Sequence, residues 1–216
     1  MEIATGWSTF ANGGYKINPY LIERIESRNG DTLFTANPAH VPQGGGSDEA
    51  GIAAPEQPIS SSGLPGEAPT TNAQFSAQTP VLAEQIIDPR TSYILTSMLQ
   101  DVIKRGTGRR AMALGRTDLA GKTGTTNESK DAWFSGYNAD YVTTVWVGFD
   151  QPETLGRREY GGTAALPIWM SFMGAALKDK PNHAPAEPEG ILSLRVDPVS
   201  GRAATPSTPN AYFELF

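Results

Sequence analysis

Three strand-like runs follow one another between residues 119 and 149, and they constrain the fold of this chain more than any other feature. Their sequences are LAGKTGTT, AWFSGYN and YVTTVWVGF, which are rich in the β-branched and aromatic residues that favour strands. Only Asn138, Ala139 and Asp140 separate the last two runs, and a short polar turn of this kind joins antiparallel neighbours. We therefore predict an antiparallel sheet.

Two apolar helices are predicted on either side of these strands in the sequence. The segment AALPIWMSFMGAAL follows the strands, with Pro167 in its first turn, where proline is tolerated. Upstream, Asp88 and Pro89 form a helix start, and an apolar stripe follows at Ile94, Leu95, Met98, Leu99, Val102 and Ile103. The predicted fold class is therefore α/β of the α+β type, an antiparallel sheet flanked by helices.

Residues 1–35 are predicted to hold the end of a helix and a β-hairpin. The apolar pattern from Ile3 to Phe10 has helical spacing and stops at Asn-Gly-Gly. No capping residue precedes Met1, so we expect this helix to begin upstream of the chain. In the hairpin, Asn29-Gly30 predicts a tight turn in which these residues supply the positive φ angles.

The rest of the chain divides by composition into three parts. Residues 36–80 are rich in Pro, Gly and Ser, which predicts a flexible insertion that cannot bury enough apolar area to become ordered. Residues 81–180 hold the predicted strands and helices of the core. Residues 181–216 are predicted to be a polar linker with a short strand, ILSLRV, a DPVSG turn, and a final YFELF that we expect to be cut from something longer.

Charge and residue content exclude several classes of function. A net charge of −6 argues against nucleic acid as a partner, because binding to phosphates needs clustered Lys and Arg. No apolar run approaches the roughly 18 residues of a membrane span, so we expect any membrane anchor to lie outside this chain. The chain has no Cys, and His40 and His183 both lie in Pro-rich segments, so we expect no metal site and no His-based triad.

The step Gly121-Lys122-Thr123 presents a choice between two kinds of anion site. A phosphate-binding loop needs four residues between its first Gly and Gly-Lys-Thr, but five residues separate Gly115 from Gly121. In that loop the Lys also opens a helix, whereas Lys122 is followed by strand-forming and turn-forming residues. The sequence therefore disfavours a phosphate-binding NTPase, which stays as a remote alternative.

The second interpretation takes Lys122-Thr123-Gly124 as the lysine-threonine-glycine strand of the penicillin-recognising serine acyltransferases. KTGTTNESKDAWFSGYNADYVTTVWVGFDQP and the following GGTAALPIWMSFM resemble the sheet and closing helix of the transpeptidase domain of class A penicillin-binding proteins. FANGGYKINPYLIERIESRNGDTLF and RGTGRRA, together with ILSLRVDPVSGRAATPSTPNAYFELF, resemble the same family. The resemblance covers nearly the whole chain apart from the insertion, and it implies the C-terminal part of the penicillin-binding, serine β-lactamase-like transpeptidase fold.

The chemistry of this strand suits the binding of a peptide carboxylate. The hydroxyls of Thr123 and Thr125 can hydrogen-bond a carboxylate, and Lys122 adds a positive charge to hold it. Gly124 lets a substrate lie against the strand, where a Cβ would intrude. The resemblance further implies that the backbone N–H of Thr125 is one donor to the oxyanion, and we add Thr126 as a residue that lines the cleft.

The nucleophile that the resemblance implies is absent from the sequence. No Ser has a Lys three positions on, and Ser27-Arg28-Asn29, which has the spacing of the family's serine-x-asparagine motif, is predicted to be a hairpin turn. We therefore expect this chain to be part of a D,D-transpeptidase at the periplasmic face of the bacterial inner membrane, and inactive by itself. Its expected partners are peptidoglycan stem peptides, β-lactams and the rest of the transpeptidase domain. A non-catalytic cell-wall or adhesion module is the alternative.

Overall fold

A computed structural model describes residues 1–42 and 80–216, and the flexible insertion predicted at 36–80 lies almost wholly outside the described residues. Helices are α1 (Glu2–Ala11), α2 (Pro89–Lys104) and α3 (Leu166–Ala176). Strands are β1 (Tyr15–Lys16), β2 (Arg24–Glu26), β3 (Thr32–Thr35), β4 (Glu84–Gln85), β5 (Ala120–Thr125), β6 (Asp131–Tyr137), β7 (Val142–Gly148), β8 (Ser193–Val196) and β9 (Tyr212–Leu215).

The predicted antiparallel sheet is formed by β5, β6 and β7 in that order, which confirms the expectation for residues 119–149. Asn138 makes the turn between β6 and β7. Its side-chain oxygen accepts hydrogen bonds from the backbone N–H groups of Asp140 and Tyr141, at 3.1 and 3.0 Å. An Asn side chain that binds the backbone ahead of it stabilises a turn, so the hairpin follows from a local signal.

The main core lies on one face of this sheet, under α3 and the C-terminal end of α2. The rings of Phe134 and Trp169 meet edge to face with their centroids 4.9 Å apart, and both side chains are fully buried. Their neighbours in the core are Ile103, Ala111, Leu119, Ala165, Leu166, Met173 and Leu177. Pro167 lies in the first turn of α3 as predicted.

The start of α2 was predicted correctly, but its buried face was not. The Asp88 side chain accepts a hydrogen bond from the Arg90 N–H, and Pro89 opens the helix. Ser92, Thr96 and Ile103 are the buried residues of α2, whereas Met98 of the predicted apolar stripe is 57% exposed. Polar residues are buried here because each finds a partner: Ser92 donates to the Phe10 carbonyl, and Thr96 hydrogen-bonds the hydroxyl of Tyr137 at 2.8 Å.

The two sides of the insertion meet in the structure. Strands β1 and β4 pair with each other, and His40 forms a bridge with Leu82 through hydrogen bonds of 2.8 and 2.9 Å. The predicted hairpin of β2 and β3 is present as a separate two-stranded sheet. Its turn differs from the expectation in one respect: only Gly30 has a positive φ, of 90°. The Gly30 N–H donates to the Ser27 carbonyl at 3.0 Å, so the turn spans Ser27 to Gly30 and ends in a single left-handed glycine.

The C-terminal residues form more structure than the sequence predicted. The run ILSLRV contributes β8, as expected, and the YFELF segment forms β9, which pairs with β8 in antiparallel fashion. The apolar residues of YFELF are explained by this strand pair. They do not require the continuation into a longer segment that was expected from the sequence.

A buried ion pair attaches the segment after α3 to the start of β5. Arg116 donates two hydrogen bonds to Asp118, of 2.9 and 2.6 Å, and also binds the carbonyls of Lys180 and Pro181. The Asp118 side chain is only 1% exposed. Burial raises the pKa of Asp118, but hydrogen bonds from Arg116, Asn138 and the His183 N–H together hold it below its ordinary value.

Candidate functional site

Strand β5 lies at one edge of the three-stranded sheet, and its side chains alternate between the two faces. Lys122 and Gly124 pair with Ser135 and Trp133 of β6, so these residues share one face. Thr123 and Thr125 lie on the opposite face, the one that carries the Phe134 core.

The backbone of β5 presents alternate N–H groups to its open edge. The Thr126 N–H donates to the carbonyl of Asp131 at 3.1 Å, which directs it toward β6. Because N–H groups alternate in direction along a strand, the Thr125 N–H points away from β6 toward the edge that no other strand of the described sheet occupies. A donor in this position can reach an oxygen of a molecule that lies along the strand.

A cavity of about 500 Å³ lies beside the hydroxyls of Thr123 and Thr125. It is lined by Thr107, Arg110, Thr123, Thr125, Tyr160, Gly162 and Thr163. The Thr123 hydroxyl is 2.8 Å from the Thr107 hydroxyl, so the segment after α2 is held against β5. We call this space the threonine pocket.

The turn before α3 supports β5 from the same side. The Gly161 N–H donates to the Thr125 hydroxyl at 3.0 Å. A Cβ on Gly161 would lie 2.3 Å from the Trp133 carbonyl oxygen and 2.6 Å from that of Gly124. Only glycine allows so close an approach, because real Cβ atoms essentially never come within 3.0 Å of another heavy atom.

Lys122 lies outside the threonine pocket. Its side chain borders a shallower cavity of about 210 Å³ together with Ile3, Trp7, Trp133 and Ser135. Its ammonium group donates to the Thr123 carbonyl at 2.8 Å. The structure therefore brings Thr123 and Thr125 together on one face, while the Lys122 side chain leaves from the other face and ends at the Thr123 carbonyl.

The residues after β5 form the turn that was predicted for them. The Thr126 hydroxyl accepts from the Asp131 N–H at 2.8 Å, and the Trp146 indole N–H donates to the Asp131 carboxylate at 2.9 Å. Glu128 and Ser129 have positive φ angles of 63° and 52°. The hydroxyl of Thr126 is thus engaged inside the turn, and Thr126 does not line the threonine pocket.

The aromatic residues of the sheet fall into two groups. The rings of Trp133 and Trp146 pack across β6 and β7 with centroids 6.1 Å apart, and Phe134 is in the core, as expected for cross-strand packing. Phe149, in contrast, is 52% exposed. It follows the end of β7, where no neighbouring strand continues to pair with it.

A family model describes most of this chain. The model of the penicillin-binding protein transpeptidase domain matches residues 1–174. The chain belongs to this transpeptidase family. The α+β fold predicted from the sequence is therefore the fold of penicillin-binding transpeptidases.

Individual members of the family agree with this assignment. Penicillin-binding protein 1A of Pseudomonas aeruginosa is 66% identical over 224 residues, a match that covers 100% of this chain and 27% of that protein. Penicillin-binding protein 1A of Neisseria gonorrhoeae is 40% identical over 193 residues, covering 89% of this chain and 19% of that protein. The chain thus spans 27% or less of the length of these relatives.

A solved structure of the family has the same fold. The crystal structure of penicillin-binding protein 1A from Haemophilus influenzae matches with a TM-score of 0.78 and 33% sequence identity, over 100% of this chain and 31% of that chain. The overall fold of this chain has therefore already been seen in this transpeptidase family.

Several residues around β5 in this transpeptidase chain escaped the sequence analysis. Thr107, Arg110, Tyr160 and Thr163 line the threonine pocket, yet they are distant from Lys122 in the sequence. The one available signal was Gly161-Gly162, a glycine pair ahead of an apolar helix, which is typical of a close backbone approach. The Ser27-x-Asn29 match forms the β2–β3 turn, where Ser27 accepts hydrogen bonds from the N–H groups of Asn29 and Asp31.

Other kinds of site were sought in the part of the family fold that the structure describes. Within residues 1–42 and 80–216, no group of three or more His, Asp or Glu side chains is arranged to hold a metal ion. No helix in the same ranges is both long and apolar enough to cross a membrane.

Proposed function

We propose that this chain is part of a D,D-transpeptidase that cross-links peptidoglycan stem peptides by serine acyl transfer and that β-lactams acylate. The observation that carries the proposal is the open edge of β5 in a member of this transpeptidase family. There, an outward Thr125 N–H lies next to two hydroxyls on one face, those of Thr123 and Thr125.

The reaction we propose begins with a serine outside this chain. Its hydroxyl oxygen attacks the carbonyl carbon of the penultimate D-alanine, and the carbonyl oxygen becomes an oxyanion. The Thr125 N–H donates a hydrogen bond to that oxyanion, a type of contact whose loss typically costs about 10² to 10³ in rate. The bond to the terminal D-alanine then breaks, and its nitrogen leaves as an amine after taking up a proton.

The acyl group passes from the serine to an amine of a neighbouring stem peptide, which forms the cross-link and restores the serine hydroxyl. In the donor complex, the hydroxyls of Thr123 and Thr125 bind the terminal carboxylate. Gly124 lets the donor backbone lie along the strand, since a side chain there would occupy its path. Lys122 contributes its positive charge from the other face of β5. No metal and no organic cofactor enters this reaction.

The location and the rest of the protein are part of the same proposal. A transpeptidase of this kind works at the periplasmic face of the bacterial inner membrane, held by an anchor outside these residues. The same longer protein would also carry a peptidoglycan glycosyltransferase. We also propose that residues 36–80 are an insertion between ordered parts, which fits the bridge between His40, near its start, and Leu82, just beyond its end.

The test is covalent labelling of the full-length protein with a fluorescent penicillin. We expect the wild type to be labelled and Thr125→Val to be labelled about 10- to 100-fold more slowly, because a hydrogen bond to a charged group contributes about 1.5–3 kcal/mol. Thr117→Val is the matched control: Thr117 is exposed and lies outside the threonine pocket. Thr125→Val labelled at the wild-type rate would favour a non-catalytic role for this strand.

Two further outcomes bear on the alternatives. Strong labelling of the isolated 216-residue chain would contradict a nucleophile outside it. Nucleotide-dependent thermal stabilisation would support an NTPase, but Lys122 lies inside a strand rather than at the start of a helix, where such a lysine is needed.

A further inference from the structure

The threonine pocket contains one cationic side chain among its described lining residues, and that side chain is Arg110. The other residues that line it are threonines, a tyrosine and a glycine. Hydroxyl groups can orient a carboxylate, but they carry no charge to offset its loss of hydration. A carboxylate that enters this pocket would therefore find its only positive partner, among the described lining residues, in Arg110.

Lys122 is poorly placed to fill that role. Thr123 and Thr125 lie on the face of β5 that packs toward the core, whereas Lys122 lies on the opposite face beside Trp133 and Ser135. Its ammonium group is also engaged with the Thr123 carbonyl at 2.8 Å. Because side chains alternate along a strand, the Lys122 side chain leaves β5 on the face opposite to the threonine hydroxyls.

The position of Arg110 is set by the segment that follows α2. Thr107 hydrogen-bonds Thr123, and Arg110 follows it in a short 3₁₀ turn, Arg109–Leu114. The turn is anchored by Ala111, which is fully buried in the core. This segment therefore carries Arg110 to the pocket on the rigid part of the fold rather than on a free loop.

Arg110 has no ion pair and no side-chain hydrogen bond within the described residues, in contrast to other arginines nearby. Arg105 pairs with Asp101, and Arg116 pairs with the buried Asp118. A guanidinium group presents paired N–H donors that match the two oxygens of a carboxylate. The unpaired Arg110 is thus available for a ligand, while Arg105 and Arg116 already serve the fold.

We propose that Arg110 is the cationic anchor for the terminal carboxylate of the donor peptide, and for the carboxylate of a β-lactam, in the threonine pocket. This inference rests on the proposed transpeptidase function. The hydroxyls of Thr123 and Thr125 orient the carboxylate, and Arg110 supplies the charge that Lys122 cannot bring to this face.

The test compares two probes on the full-length protein: benzylpenicillin, which has a free carboxylate, and its methyl ester, which does not. Arg110→Met keeps most of the apolar part of the side chain and removes its charge. We expect this variant to reduce the acylation rate constant for benzylpenicillin by about 10- to 100-fold, the range for a charge-assisted hydrogen bond. Acylation by the methyl ester should change less than about threefold, because the ester has no charge for Arg110 to bind.

Two further variants control for the general effect of losing an arginine. Arg109→Met removes the neighbouring charge, which does not line the threonine pocket, and should leave both rates unchanged. Arg110→Lys should restore part of the benzylpenicillin rate, because an ammonium keeps the charge but not the paired donors. Thermal unfolding of each variant shows whether the fold is intact.

The outcomes separate this inference from the function on which it rests. A wild-type protein that benzylpenicillin does not acylate would overturn the proposed function itself. Normal acylation of the wild type together with an unchanged rate for Arg110→Met would overturn the role of Arg110 alone. An equal fall in the rates for both probes would also overturn it, because a loss that ignores the carboxylate points to a structural effect.

Discussion

Replacing Gly161 with Ala tests whether the turn before α3 positions β5. The new Cβ would lie 2.3 Å from the Trp133 carbonyl oxygen and 2.6 Å from the Gly124 carbonyl oxygen. Ordinary contact begins at 3.4 Å, so β5 and the turn must separate by about 1 Å. Both obstacles are backbone atoms of the paired strands β5 and β6, so no side chain can rotate away to relieve the contact.

The displacement should affect activity more than stability. Overpacking of this kind costs about 1–3 kcal/mol of unfolding free energy. A displacement of about 1 Å at a reacting group can cost about 10²-fold in rate. The hydrogen bond from the Gly161 N–H to the Thr125 hydroxyl, now 3.0 Å, would also lengthen. We therefore expect Gly161→Ala to fold and to acylate about 100-fold more slowly.

The assay is the rate of acylation of the full-length protein by fluorescent penicillin, with thermal unfolding measured in parallel. Gly6→Ala is the matched control, because a Cβ there meets nothing within 4 Å and Gly6 is exposed in α1. It should stabilise the protein by about 0.5–1 kcal/mol and leave the rate unchanged. A Gly161→Ala protein with the wild-type rate would refute the idea that this turn holds β5 in position.

Two further predictions concern buried groups. Asp118→Asn should lower the unfolding free energy by about 3–5 kcal/mol in chemical denaturation, because it leaves Arg116 buried with no opposite charge. The control is Glu26→Gln, which removes the charge of Glu26 from an exposed pair with Arg24. It should change the unfolding free energy by less than about 1 kcal/mol. Burial raises the pKa of Tyr137 to about 12, against a weaker opposite effect of the Thr96 hydrogen bond. In an absorbance titration Tyr137 should therefore remain protonated at pH 11, about one unit above the ordinary pKa of tyrosine.

The stability contributions of Asp118 and Tyr137 depend on pH in opposite directions. The pKa of Asp118 is lowered in the folded protein, so its stabilisation is present above the pKa of the unfolded chain and is lost as the pH falls through the folded value. The pKa of Tyr137 is raised, so its stabilisation is present below the unfolded value and is lost as the pH rises toward 12. If the unfolding free energy of Asp118→Asn fell with decreasing pH as much as that of the wild type, the assignment for Asp118 would be contradicted. Full ionisation of Tyr137 at pH 11 would contradict the assignment for Tyr137.

Sequence patterns predicted the structure correctly where a residue contacts its own neighbours in the sequence. Asp88 and Pro89 start α2, Asn138 turns β6 into β7, and the β-branched runs form the sheet. Each of these depends on contacts within a few residues, so the pattern alone is sufficient to predict it.

Long-range contacts account for what the sequence analysis missed. The buried face of α2 includes Ser92 and Thr96 because they hydrogen-bond the Phe10 carbonyl and the Tyr137 hydroxyl, and no periodicity in α2 encodes those partners. Likewise, β9 pairs with β8, although the two are separated by a turn and a loop. Hydrogen-bond partners that are distant in the sequence decide both cases.

For the candidate site, the sequence by itself determined which residues form the strand and that the phosphate-loop spacing fails. Strand geometry also implies that Lys122 points to the other face from Thr123 and Thr125, although the sequence analysis had placed all three on one carboxylate. Only the tertiary structure decided which residues lie next to β5. These are Thr107 and Arg110 from the segment after α2, and Gly161 from the turn before α3. Three segments that are distant in the chain meet at β5 because the core under Phe134 and Trp169 packs them there.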